Sequence, residues 1–96
     1  MDRNEINKRI KSILVEDLFV ADSPEGIADT AAIGSDLGLD SVGFVELATI
    51  VGELFEIKIS DTDISQGHFA DVQILTDFIL ARLKGKSATP MEVAAE

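Results

Sequence analysis

Apolar residues recur at spacings of three and four in three stretches of this chain, the rhythm of an amphipathic helix. In the first, Ile6, Ile10, Ile13, Leu14 and Leu18 share one side of a helix from Asn4 to about Phe19, while Lys8, Arg9 and Lys11 fall elsewhere on the wheel. Asp2, with Glu5 three residues later, gives it a capping-box-like start. In the second, from Ser41 to Phe55, the expected buried face is Phe44, Leu47, Ala48, Val51 and Phe55, which leaves Val42, Val45 and Ile50 off the core stripe. The third starts at Asp71 and runs to about Lys84, with Leu75, Phe78, Ile79 and Leu83 facing the core. Arg82 and Lys84 in its last turn suit the helix dipole, and Gly85 is a good terminator.

The segments between these helices break the rhythm. Val20 to Asp40 is a long connection holding Ser23-Pro24-Glu25-Gly26 and Ala31-Ala32-Ile33-Gly34-Ser35. A loop of that length in a compact domain usually has a job or a short turn inside it, and Ile33, Leu37 and Leu39 are its expected anchors on the core. Ile57-Lys58-Ile59 alternates like a strand but has nothing to pair with, so it reads as an extended connector. Ser60 with Asp63 marks a capped short helix over about Asp61 to Gln66, ended by Gly67. Ser87 to Glu96 is small, polar and Ala-rich, and a disordered tail over 86–96 is expected. The sum is an all-α fold: a small four-helix bundle of three long helices and one short, with a long loop between the first two, in one domain over 1–85.

Composition narrows the function. The 96 residues suffice for one core, built from Ile, Leu, Val and five Phe, since there is no Trp or Tyr. No apolar run could span a bilayer and no signal-peptide pattern opens the chain, so no membrane insertion and a soluble, cytoplasmic protein are expected. Cysteine is absent, which excludes disulfides, a thiolate of the protein's own and any Cys-ligated metal. The formal net charge is −10, and between Ser12 and Ile57 ten acids stand without a single Lys or Arg. Such a surface is poorly suited to nucleic acid and well suited to a basic protein surface.

Few groups offer catalysis. Asp61-Thr62-Asp63-Ile64-Ser65 invites a calcium loop, but the glycine and glutamate needed at positions six and twelve are Gln66 and Val72 here. His68 is the only histidine; a triad with Ser41 is formally possible, yet the G-x-S-x-G elbow is missing and so small a bundle has little room for a substrate pocket. No P-loop or dinucleotide glycine motif occurs. What remains is Leu37-Gly38-Leu39-Asp40-Ser41-Val42, an Asp-Ser pair after a Gly-containing turn at a helix start. There a serine hydroxyl points outward, and free N–H groups with the helix dipole favour a phosphate.

Asp36-Leu37-Gly38-Leu39-Asp40-Ser41-Val42, with Val45-Glu46-Leu47 close behind, resembles the acyl carrier protein signature. The resemblance extends over the first helix, the long loop, the serine-led second helix ending in Phe55, the Ile-Ser-Asp connector and Val72 at the start of the last helix. It implies that Ser41, preceded by Asp40, receives 4′-phosphopantetheine from coenzyme A through a phosphopantetheinyl transferase. The arm's thiol would then carry acyl or aminoacyl thioesters, in a chain that is itself no enzyme. Two departures stand out: the fatty-acid carriers have an acid two residues after the serine, where this chain has Gly43, and their late second-helix acids are thinned here to Glu53 and Glu56. The resemblance therefore implies a docking face of Val42, Val45, Glu46, Ile50 and Glu53 that is more apolar than usual. It suggests a free-standing monomeric carrier of polyketide, specialised fatty-acid or other secondary metabolism, working with a ketosynthase, acyltransferase or adenylating enzyme. An aminoacyl, peptidyl or D-alanyl carrier is the alternative. An unmodified adaptor binding through Val42, Val45 and Ile50 is the rival from another class, and for it Ser41→Ala would be silent.

Overall fold

The computed structural model describes the backbone of residues 2–95 and the side chains of residues 2–85. Among the described residues the chain forms α1 (Arg3–Glu16), α2 (Ser41–Phe55), the short α3 (Asp61–Ser65) and α4 (Val72–Ala95), with a 3₁₀ turn at Pro24–Gly26 in the long loop and no strand. Each helix begins where a side chain satisfies an orphan N–H. Asp2 Oδ1 accepts from Glu5 N at 2.9 Å, and Asp71 Oδ1 accepts from Ile74 N at 2.7 Å. At α3, Ser60 Oγ accepts from Asp63 N at 3.2 Å while Asp63 Oδ2 accepts from Ser60 N at 2.9 Å, a reciprocal capping box. No helix of the described residues is long and apolar enough to cross a membrane.

The core follows the helical stripes. α1 buries Ile6, Ile10, Ile13 and Leu14; α2 buries Leu47, Ala48, Val51 and Phe55; α4 buries Val72, Leu75, Phe78 and Ile79. α1 packs chiefly on α4. Fully burying each such side chain is worth about 1.5–3 kcal/mol, so truncating a central one such as Leu14 to Ala should cost about 2–5 kcal/mol. Thr76 is buried among them, its hydroxyl satisfied by Val72 O at 2.7 Å. Phe44, Leu18 and Leu83 are half-buried at the margins.

The long loop is pinned rather than loose, and the pins position the start of α2. Ile27, Ile33 and Leu39 are buried in the core and Leu37 is half-buried. Ile33 N donates to Ala70 O and Gln73 N donates to Asp29 O, each at 2.9 Å, so the loop is stitched to the start of α4. The Asp29 carboxylate takes the Lys11 ammonium at 2.7 Å and Asn7 Nδ2 at 3.1 Å, which ties the same loop to α1. The hydrogen bonds from Lys11 and Asn7 hold the Asp29 carboxyl below the usual carboxylate range.

Two helix ends differ from the sequence reading. α1 stops at Glu16 rather than Phe19, because Leu18 N turns to Ile13 O at 3.1 Å, sharing it with the last regular bond from Asp17 N at 2.9 Å, and Phe19 takes the left-handed conformation. α4 passes through Gly85 instead of ending there. A glycine stops a helix by adopting a positive φ, and only Gly38 and Gly67 do so among the described glycines. The helical backbone continues to Ala95, and the side chains of 86–96, the segment for which the sequence predicts a disordered tail, lie outside the described residues. The connector at Ile57-Lys58-Ile59 is neither helix nor strand, and both isoleucines are half-buried.

Candidate cofactor-attachment site

α2 starts at Ser41 because the residues before it form a closed turn. Asp36 Oδ2 accepts from Ala32 N at 2.9 Å, Gly38 supplies a φ of +79°, and Leu39 N donates to Ile33 O at 3.2 Å. Asp40 is then the N-cap, in extended backbone, with Oδ1 accepting from Gly43 N at 2.8 Å and its carbonyl accepting from Phe44 N at 2.9 Å. Phe44 N thus makes the first intrahelical bond; of the orphan N–H groups before it, that of Gly43 is taken by the cap, and those of Ser41 and Val42 have no partner among the described residues. Ser41 itself is exposed. Its hydroxyl stands at the positive end of a helix of 15 residues beside two unused donors, a set that fits a phosphodiester.

Gly43 lies tightly under the Leu39 side chain. A Cβ there would lie 2.3 Å from Leu39 Cδ1 and 2.7 Å from Leu39 Cγ, so the Leu39 side chain occupies the space over the first turn. That contact lets Leu39 be buried at the same place where Ser41 must be exposed. It leaves the first turn of α2 without an acid, and Val42 and Val45 stand in solvent at 69% and 55% exposure. Glu46 and Glu53 are exposed as well, whereas Ile50 is half-buried against the edge of the core, beside Leu47 and Val51 on the buried stripe. The apolar collar is therefore Val42 and Val45, with Ile50 contributing one edge.

His68 does not join this site as a base. Its ring stacks on Phe78 with centroids 4.7 Å apart, and the Arg82 guanidinium lies 4.6 Å from the same Phe78 ring. Arg82 also donates to Lys58 O and to Asp63 Oδ1, both at 2.9 Å, clamping the connector and α3 onto α4. Asp63, which invited the calcium reading, is consumed by its cap and by this clamp, and no cluster of metal-ligating side chains exists among the described residues. Sequence reasoning missed the Leu39–Gly43 contact; the glycine in the first turn of an amphipathic helix was its one visible sign.

A small helical bundle that presents an exposed serine at a helix start has the layout of a carrier domain. Comparison with known proteins gives that class its family. The profile of the phosphopantetheine attachment site matches residues 8–72. Over 82 residues, 85% of the chain, it is 33% identical to the mitochondrial acyl carrier protein of Neurospora crassa, and the match spans 59% of that relative's length. The chain belongs to the acyl carrier protein family: a non-catalytic helical carrier with covalently attached 4′-phosphopantetheine. Proteins of this family meet a phosphopantetheinyl transferase and synthase enzymes.

Proposed function

We propose that Ser41 is the attachment residue and that the chain shuttles acyl thioesters between the enzymes of a fatty-acid-type or polyketide pathway. The observation that carries this reading is the exposed Ser41 hydroxyl at the start of α2, with Asp40 taking the capping role that would otherwise consume a serine. Loading forms a bond from Ser41 Oγ to the phosphorus of the pantetheine phosphate and releases the nucleotide half of coenzyme A. The pyrophosphate P–O bond of coenzyme A breaks as the new one forms, and the hydroxyl proton passes to a base of the transferase. Once attached, the arm supplies the thiol that this cysteine-free chain lacks, and tethering raises the effective concentration of the cargo at each partner.

The name of the Neurospora crassa relative supports an acyl cargo over an aminoacyl one. The acid-free first turn of α2, with Val42 and Val45 exposed, supports partner enzymes that read apolar shape near Ser41 and negative charge farther away, at Glu46 and Glu53. The test is intact mass after incubation with coenzyme A, magnesium and a broad-specificity phosphopantetheinyl transferase. Wild type should gain one phosphopantetheine and Ser41→Ala none. Loading of the holo form by an acyl-transferring enzyme, and refusal of adenylated amino acids, then separates the acyl from the aminoacyl carrier.

A further inference from the structure

Two exposed apolar residues, Phe19 just after the end of α1 and Leu54 on the last turn of α2, have no part in the attachment site. Phe19 is 81% exposed, more than any other large apolar residue described, and its φ is +56°. Bulky side chains are rare in that conformation, and glycine would relieve both the backbone strain and the exposed ring. Folding therefore does not account for a phenylalanine there. Leu54 is 41% exposed on the last turn of α2, about 20 Å along the helix axis from Ser41 at 1.5 Å per residue. It lines a shallow groove with Ile13, Glu16 and Asp17 at the end of α1, the last two standing three and two residues before Phe19, while Glu5, Lys8, Arg9 and Ser12 line the rest. The Arg9 guanidinium is engaged by Glu5 at 3.6 Å.

The charge around these anchors points to what covers them. Glu16, Asp17 and Asp22 are all exposed, and none of the three carboxylates has an ion-pair or hydrogen-bond partner among the described residues, against a single cation of the groove, Lys8, that has no ion pair among them. A chain with net charge −10 repels a second copy of itself, and an anionic lipid surface would be repelled likewise. We propose that Phe19 and Leu54 are the apolar anchors of a second docking surface, for a protein partner whose apolar pocket is rimmed by lysine and arginine. Such a partner would sit at the opposite end of α2 from Ser41 and leave the attachment site free for an enzyme. The surface owes nothing to modification of Ser41, so it stands or falls independently of the attachment reading.

The test places a photo-crosslinking benzoylphenylalanine at position 19 of the full chain, in wild-type and Ser41→Ala backgrounds, in the cells that make the protein. The crosslinked partner is identified by mass spectrometry and its affinity measured with purified proteins. One heterologous adduct is expected in both backgrounds, its crosslinked peptide containing Lys or Arg. Phe19→Gly and Leu54→Ser should each weaken that partner tenfold or more, with affinity falling as salt rises, while Phe19→Gly leaves the melting temperature unchanged or higher. Any of four results would overturn the proposal: no adduct, an adduct with a second copy of the chain, an adduct lost in Ser41→Ala, or unchanged affinity for Phe19→Gly. A lower melting temperature for Phe19→Gly would do so too, by giving the phenylalanine a structural role.

Discussion

The starts of α2 and α3 use the same two residue types to opposite ends. At α3 a serine leads: Ser60 is the cap, its hydroxyl is consumed by Asp63 N, and Asp63 answers through Ser60 N and the Arg82 guanidinium. At α2 an aspartate leads: Asp40 is the cap, and the serine that follows is spared, with its hydroxyl in solvent. Both arrangements satisfy the helix start, but only one leaves a hydroxyl for chemistry. Reversing the order of acid and serine separates a structural helix start from a reactive one.

Substitutions break this contrast with graded effects. The largest is Ser41→Ala, which should abolish phosphopantetheine loading while changing stability by less than about 0.5 kcal/mol, as for other exposed positions; loading assays and thermal melts read the two arms. The next is Asp63→Ala, expected to cost about 2 kcal/mol because it removes charge-assisted hydrogen bonds to Ser60 and Arg82, yet to leave loading at Ser41 intact. Urea unfolding at pH 7 measures it.

The Asp63 carboxyl also sets a pH dependence. The Ser60 backbone N–H, then the Ser60 hydroxyl and Arg82, hold it below the usual carboxylate range against the opposing cost of burial. Because the folded-state pKa lies below the unfolded value of about 3.9, ionised Asp63 stabilises the fold fully above that value, and the contribution is lost as pH falls through the folded pKa. The stability gap between wild type and Asp63→Asn should therefore be open at pH 7 and close in strong acid. A gap independent of pH would show that the carboxylate's charge does not matter there.

Gly43→Ala sharpens the α2 side. Its Cβ would collide with Leu39, an overpacking worth about 1–3 kcal/mol, against a gain of up to about 1 kcal/mol in helix propensity. A net loss is expected, and in a Leu39→Ala background the same substitution should become neutral or stabilising; a double-mutant cycle reads the change of sign. The smallest effect belongs to Asp40→Asn, since asparagine caps as well as aspartate. A few tenths of a kcal/mol are expected in thermal melts, where Asp40→Ala should cost about 1 kcal/mol.

Much of this was legible in the chain. The bounds of α2 fall at Ser41 and Phe55 in both readings, because an N-cap aspartate and an unbroken apolar stripe mark both ends. The box at Ser60 and Asp63 was equally plain, being a local rule of three residues. The end of α1 was not: Leu18 keeps the helical spacing although the chain has already left the helix, and periodicity cannot see a backbone turning to Ile13 O. Gly85 was read as a stop, but a stop needs a positive φ and residue type alone does not supply it. Ile27 as a core anchor and Leu39 lying over Gly43 both depend on how the loop folds back, which no stripe encodes.

The contrast between the two serines yields the most direct test. The lack of Lys or Arg between Ser12 and Ile57 means that trypsin releases Ser41 on one long peptide ending at Lys58, apart from Ser60 and Ser65. After enzymatic loading of the wild-type chain, fragmentation of that peptide should place the entire phosphopantetheine mass on Ser41, with Ser12, Ser23 and Ser35 unmodified, and the peptide carrying Ser60 and Ser65 should show no added mass. The arm on any other serine, or no arm on a well-folded chain, would contradict the account.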